Sequence, residues 1–309
     1  MFTPPPRDGV SASRVGIGDG RFADVLAFLV ARFPAVADWP ARLARGDVLD
    51  AAGRPLAADA PCALGEVLWY WRDPPPEPRV PFEIEVLHQD EHLVVVDKPH
   101  FLAAIPGGRH LRETVLVRLR QQLGVATLAP MHRLDRETAG VLVFTVQPAS
   151  RHAYHALLRE RDVHKVYEAV APWRADRALP LVCRHRLAKP AGTGFMQVQV
   201  VPGEPNAETL IELIGRVAEP EQSLALYRLT PRTGYTHQLR VQMNALGMPI
   251  VGDRIYPRLW PEPAPGAVPD WSHPLQLLAR EIAFTDPVTG AARRFTSRRR
   301  LQLTADPLR

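Results

Sequence analysis

From residue 21 to 33, RFADVLAFLVARF, apolar side chains return at Phe22, Val25, Leu26, Leu29 and Phe33, the spacing of a helix with one buried face. A second short helix is expected across WPARLARG, ending near Gly46, and the strand-like run EVLWYW follows at 66–71. Together these elements predict a small α/β module over residues 15–71, behind a tail of residues 1–14. Residues 72–82, RDPPPEPRVPF, hold five prolines in eleven positions. Proline disfavours helix and sheet interiors alike, so this stretch reads as a linker. Beyond it the pattern turns strand-rich: FEIEVLHQD, HLVVVDKP, VLVFTV, KVYEAVA, GFMQVQVV, LALYRLTP, HQLRVQM and EIAFTD. Helical interruptions are expected near 112–123 and 148–161. Residues 83–305 should therefore form one large mixed sheet with helices packed on it, an α+β domain.

The chain has 309 residues, 46% of them hydrophobic, enough to bury a large core in one or two domains. No run of 18 apolar residues is present, so no membrane partner is expected, and MFTPPPRDGV lacks the charged-then-apolar pattern of an export signal. Cys62 and Cys183 lie 121 positions apart without CxxC spacing, which predicts neither a zinc site nor a disulfide framework. His152 and His155 have helical spacing but no third ligand, so no metal is expected. A cytoplasmic location is the simplest expectation. The net charge is +5 and the pI about 9.5. Such a balance suits a polyanion, because cations that neutralise phosphates release counterions. An arginine-rich proteome gives the same balance without function: Lys98, Lys165 and Lys189 are the only lysines.

Three stretches could carry chemistry. In APMHRLDRETAGVLVFTV, residues 129–146, Asp135 stands between Arg133 and Arg136, just before a buried-strand pattern. Guanidinium groups favour an ionised carboxylate and burial opposes it, so a charge at a strand mouth needs a partner. An ionised, positioned carboxylate suits a nucleophile or general base; an exposed ion pair with a neighbouring arginine is the plainer reading. In HKVYEAV, the two-residue strand period puts Lys165 and Tyr167 on one face. That tyrosine is either core with its hydroxyl at the rim or a ring that stacks on a base. In PRTGYTHQLRVQMNALGMPIVGD, Arg240 is expected in mid-strand, facing the same way as Gln238 and Gln242. An arginine there is either a surface residue or the partner of a carboxylate, and Asp135 is one candidate.

Taken together, these stretches resemble the RluA-type pseudouridine synthases, which isomerise uridine in structured RNA. The likeness rests on HRLDRETAG, KVYEAV and TGYTHQLRVQMNALGMPIVGD, with VVVDKPHFLAAIP at 94–106 and LLAREIAFTDPVTG at 277–290, and spans roughly residues 83 to 298. The resemblance implies the pseudouridine synthase fold, with its large, mainly antiparallel sheet. It implies Asp135 as the essential catalytic residue, Tyr167 against the uracil ring, and Arg240 paired with Asp135. It also implies RNA contacts from His132, Arg133 and Lys165, with Arg133 filling the gap left by an extruded nucleotide, a step that costs a few kcal/mol of stacking and pairing. The carboxylate either attacks C1′ or assists elimination to a glycal. No metal, nucleotide or redox cofactor is implied. The partner is structured RNA, ribosomal or transfer, rather than DNA, and a monomer is the default expectation. RLARGDVLDAAGRPL looks like the small RNA-binding domain that precedes such catalytic domains and is shared with a ribosomal small-subunit protein. Two positions depart from the family pattern: Tyr235 stands where an arginine is usual and Gln242 where a histidine is usual. The rival readings are a catalytically silent RNA-binding protein of the same fold and a glycoside hydrolase using Asp135 and Glu137, whose carboxylates would flank a sugar about 5–9.5 Å apart.

Overall fold

The computed structural model describes residues 2–18, 22–72, 77–108, 110–189, 197–217, 223–261 and 269–302. Parts of the expected segments lie outside the described residues, among them 1 of the tail, 19–21 of the small module, 73–76 of the linker, 194–196 of GFMQVQVV, and 303–305 at the end of the large domain. The chain divides into two compact units, Met1–Glu77 with Pro106–Arg112 and Val117–Ala126, and Pro78–Ile105 with Glu113–Leu116 and Thr127–Arg309.

In the first unit, strand β1 (Ser13–Gly16) is followed by helices α1 (Val25–Arg32) and α2 (Trp39–Ala44) and strands β2 (Val48–Leu49) and β3 (Val67–Tyr70). β3 lies between β1 and β2 in an antiparallel sheet. Asp24 starts α1 by accepting the Ala27 amide at 2.7 Å, satisfying one of the donors a helix leaves free. The apolar face of α1 meets Trp39, Leu43 and Leu68, and Trp39 packs edge-on against Tyr70 at 5.4 Å.

The second unit is built on an eleven-stranded sheet. Strands β4 (Glu85–Gln89) and β5 (Leu93–Lys98) lead to helix α3 (Val115–Leu123), which the division of the chain cuts. Then come β6 (Ala129–Pro130), β7 (Ala139–Thr145), α4 (Arg151–Glu160), β8 (His164–Pro172), β9 (Leu181–Ala188), β10 (Gln199–Val201), β11 (Ala207–Val217), β12 (Leu224–Pro231), α5 (Gln238–Ala245), β13 (Leu277–Thr285) and β14 (Ala292–Thr296). The strand order is β10-β9-β11-β12-β8-β13-β7-β5-β4, with β14 on β13 and β6 on β7. Only the β7–β13 pairing is parallel, so the sheet is mixed and mainly antiparallel. Every residue of β5 and β7 is buried, which is why residues 93–96 and 139–144 read as unbroken apolar runs rather than alternating ones.

Two features of the sheet position the site. β8 pairs with β12 only as far as Tyr167↔Leu229. Beyond that point β8 continues against β13 to His164↔Ala283, while β12 turns to β11 at Pro231↔Thr209, so the two strands part. At the other feature, Gly140 has φ +112°, and a Cβ there would lie 2.2 Å from the Ala279 carbonyl oxygen on the paired strand. Gly140→Ala is therefore expected to cost at least about 2 kcal/mol, through backbone strain plus overpacking, read as a lower urea midpoint with an unchanged slope.

The structure corrects the strand expected at HQLRVQM, which is helix α5. Its six residues from Gln238 to Met243 are all buried, so no polar stripe marks a helical period. The buried amides are satisfied internally instead. Gln238 accepts from the Thr233 hydroxyl (2.8 Å) and donates to the Glu208 carbonyl (3.1 Å); Gln242 accepts from the Thr209 hydroxyl (2.6 Å). Strands β9, β11 and β14 were also not anticipated. Their exposed arginines, such as Arg184, Arg186, Arg216 and Arg294, interrupt the apolar pattern.

Candidate active site

Asp135 sits in the turn that enters β7, with the Thr138 amide donating to its carbonyl at 3.1 Å. The turn is held from beneath by Lys98, at the end of β5 and fully buried. Its ammonium donates to the carbonyls of Pro99 (2.9 Å), Leu102 (2.7 Å) and Arg136 (2.9 Å). Burial draws the Lys98 pKa down to about 7, against the opposing pull of the Glu137 and Asp135 charges. Nδ1 of His100 meets the Glu137 carbonyl at 2.7 Å, a second tie on the same turn. Arg136 is taken up by the neighbouring Glu137 carboxylate, so the crowded charges of the motif are sorted: 136 with 137, leaving 135 for a partner elsewhere.

That partner comes from α5. Arg240 Nη1 donates to Asp135 Oδ2 at 3.1 Å, joining residues 105 positions apart. The Arg240 side chain is 2% exposed and Asp135's is 30% exposed, so one end of the pair is sealed and the other opens outward. The rest of the guanidinium grips Asp253, Nε to Oδ2 at 2.8 Å and Nη2 to Oδ1 at 2.6 Å, the bidentate fork that arginine makes with a carboxylate. Burial by itself would favour loss of the arginine proton, but the Asp253 and Asp135 carboxylates outweigh it and raise the pKa further. Asp253 also accepts the amides of Ile255 (2.8 Å) and Tyr256 (3.0 Å), fixing its own loop. Gly252 before it has φ +76°, and a Cβ there would lie 2.4 Å from the Pro274 carbonyl oxygen, so the loop can close only with glycine.

His237, at the start of α5, places Nε2 3.8 Å from Asp135 Oδ2, with Nδ1 3.2 Å from the Tyr256 hydroxyl. Burial lowers its pKa although the Asp135 charge pulls the other way. Tyr167, on the strand face from which β12 diverges, feels the Asp135 charge; burial first, and that charge second, raise the pKa of its phenol. The result is a neutral phenol within the field of one carboxylate, which is itself bonded to the buried Arg240 cation.

The three residues expected at RNA differ in setting. Arg133 is exposed, and its side chain makes no hydrogen bond or ion pair among the described residues. Lys165 is half-buried, likewise without a partner, and desolvation lowers its pKa. His132 is turned inward: the Val143 amide donates to its Nε2 at 3.3 Å, and burial together with the Lys165 charge lowers its pKa to about 3. Of the two departures from the family pattern, Gln242 is interior and bonds the carbonyls of Cys183 and Ala207 at 3.3 Å, seating α5 on β9 and β11. Tyr235 is 45% exposed. His237, Asp253 and Tyr256 were not singled out from the sequence, although a buried Arg240 with five donors demands more than one carboxylate, and Asp253 is the first acid after it.

His132 and His100 set an acid limit on folding. Both pKa values are depressed by burial, to about 3 and about 4, from an ordinary 6.5. Between those values and 6.5 the unfolded chain binds more protons, so stability is intact above 6.5 and falls as pH drops towards 4. Two protons correspond to a slope of up to about 2.7 kcal/mol per pH unit. Urea unfolding at pH 7 and pH 5 should show the loss, and His132→Asn should flatten it.

Comparison with known proteins agrees with the geometry. The family profile described as RNA pseudouridylate synthase matches residues 92–245. An RNA pseudouridine synthase from Synechocystis is 31% identical over 233 residues, 75% of this chain and 75% of the relative. The dual-specificity RNA pseudouridine synthase RluA of Haemophilus influenzae is 31% identical over 240 residues, 73% of this chain and 96% of that one. The solved structure of human RNA pseudouridylate synthase domain containing 1 shares the fold, with a TM-score of 0.57 at 20% identity over 72% of this chain and 86% of that one. The chain belongs to the RluA-type RNA pseudouridine synthase family, enzymes that isomerise uridine in RNA. No helix among the described residues is long and apolar enough to cross a membrane, and no group of three or more potential metal ligands occurs among them.

Proposed function

We propose that Asp135 carries the isomerisation of a uridine extruded from structured RNA, ribosomal or transfer, with Arg240 orienting the carboxylate and Tyr167 lying against the uracil ring. The observation that carries this reading is the Arg240 bridge. One buried guanidinium is fixed by Asp253 through two bonds and presents its remaining edge to Asp135 at 3.1 Å, so the carboxylate is aimed before substrate arrives. Two routes are open to such a group: attack on C1′ with uracil leaving through N1, or removal of the C2′ proton to give a glycal. Both end alike. The uracil turns, a C5–C1′ bond forms, C5 loses its hydrogen to solvent and N1 gains one. No net redox change occurs, so the chemistry asks for position and charge alone.

Arg133, exposed and unpaired beside Asp135, suits the space vacated by the extruded nucleotide. Lys165 suits a phosphate. His132, held inward by Val143, supports the turn that presents Arg133. The small first unit is read as an additional RNA-binding module, and the protein as a cytoplasmic monomer that uses no cofactor. Release of tritium from RNA labelled at uridine C5 tests the activity directly: release in proportion to pseudouridine formed is expected, and binding of RNA with no release would leave a silent RNA-binding protein.

A further inference from the structure

The parting of β8 from β12 at Tyr167 opens a groove of about 1150 Å³, lined by the start of β8, the ends of β12 and β13, and the start of β14. Pockets for single small molecules run from about 300 to 1,000 Å³, so this one is larger than one such ligand needs. Its inner end is Lys165, on the strand face of Tyr167 and two residues from it. Its outer end carries Arg161, exposed at the C-terminus of α4, and Arg294 on β14, whose side chain is 71% exposed.

The charges lining the groove do not cancel. Arg232 is matched to Glu208 at 3.4 Å, and Arg293 is held by Asp286 at 3.1 Å and Asp90 at 3.0 Å. Glu160 has Arg159 at 3.5 Å. Arg161 and Lys165 make no hydrogen bond or ion pair through their side chains among the described residues, and Arg294 pairs with Glu281 at 3.5 Å, a carboxylate outside the lining. Against the two unpaired cations the lining leaves one uncommitted carboxylate, Asp162. A desolvated lysine without a partner is costly, and an anion brought to it removes the cost.

We propose that this groove is a track for the sugar–phosphate backbone flanking the target uridine, with one phosphate at Lys165 and the strand leaving over Arg161 and Arg294. The track rests on the synthase reading of the adjoining site and extends it from one nucleotide to the strand on one side of it. Its contacts are to phosphate, so they set register and affinity rather than base choice.

The test is the full-length double variant Arg161→Asn, Arg294→Thr, in which asparagine tolerates the left-handed backbone at 161 (φ +67°) and threonine suits a strand. Binding of a labelled RNA stem-loop with uridines in its loop is measured across a salt titration. Loss of two phosphate contacts lowers the slope of log K against log salt by about 1.4 and raises Kd several-fold. KM for tritium release rises by the same factor, and Arg161→Lys, Arg294→Lys restores both. An unchanged slope and KM, with wild-type protein active, overturns the track and leaves the synthase reading standing. Inactive wild-type protein with a variant slope still lowered does the reverse.

Discussion

Asp135→Asn is expected to abolish tritium release from C5-labelled RNA, by at least about 10³-fold in kcat, while RNA affinity stays within about twofold of wild type. Asparagine keeps the shape of the side chain and removes only its charge and basicity. The substitution leaves Arg240 with its two bonds to Asp253, so the buried guanidinium remains compensated. The lost contact is one 3.1 Å bond to a group that is 30% exposed, and the stability change should stay within about 1 kcal/mol. A circular-dichroism melt near that of wild type, beside absent turnover, separates chemistry from folding. Measurable turnover at the wild-type rate would remove Asp135 from the reaction, whatever its neighbours do.

The legible part of the site was the part written in local sequence. Asp135, Tyr167 and Arg240 each stand in a short motif, and β5 and β7 read as strands because each carries a short, uninterrupted apolar run. The illegible part was decided by distant packing. Helix α5 is buried all round, so the alternation of Gln238, Arg240 and Gln242 with Leu239, Val241 and Met243 imitated a strand. What makes it a helix is satisfaction at long range: Thr209, Thr233, Glu208 and Cys183 supply the partners that water would otherwise supply. Asp253 was overlooked for the same reason. Its value lies in the fork it offers Arg240, and no local periodicity records that. The turn at Asp135 illustrates the opposite case: Arg136 and Glu137 neutralise each other within the motif, which is why the adjacent carboxylate must look 105 residues along the chain.

Removal of Arg240 is expected to damage both the fold and the chemistry, and a second substitution separates the two. In Arg240→Met, Asp253 keeps the Ile255 and Tyr256 amides but loses its counter-charge while 1% exposed, an arrangement that typically costs about 3–5 kcal/mol. In the double variant Arg240→Met, Asp253→Asn, no orphan charge is left, and an asparagine oxygen can still accept both amides. Most of the lost stability should return, so the pair should show a coupling energy of several kcal/mol in a double-mutant cycle of urea unfolding. Activity should not return, because nothing then aims Asp135. Tritium release regained along with stability would make Arg240 a brace for Asp253 alone. Release still absent from a refolded double variant makes it the group through which the buried core orients the reacting carboxylate.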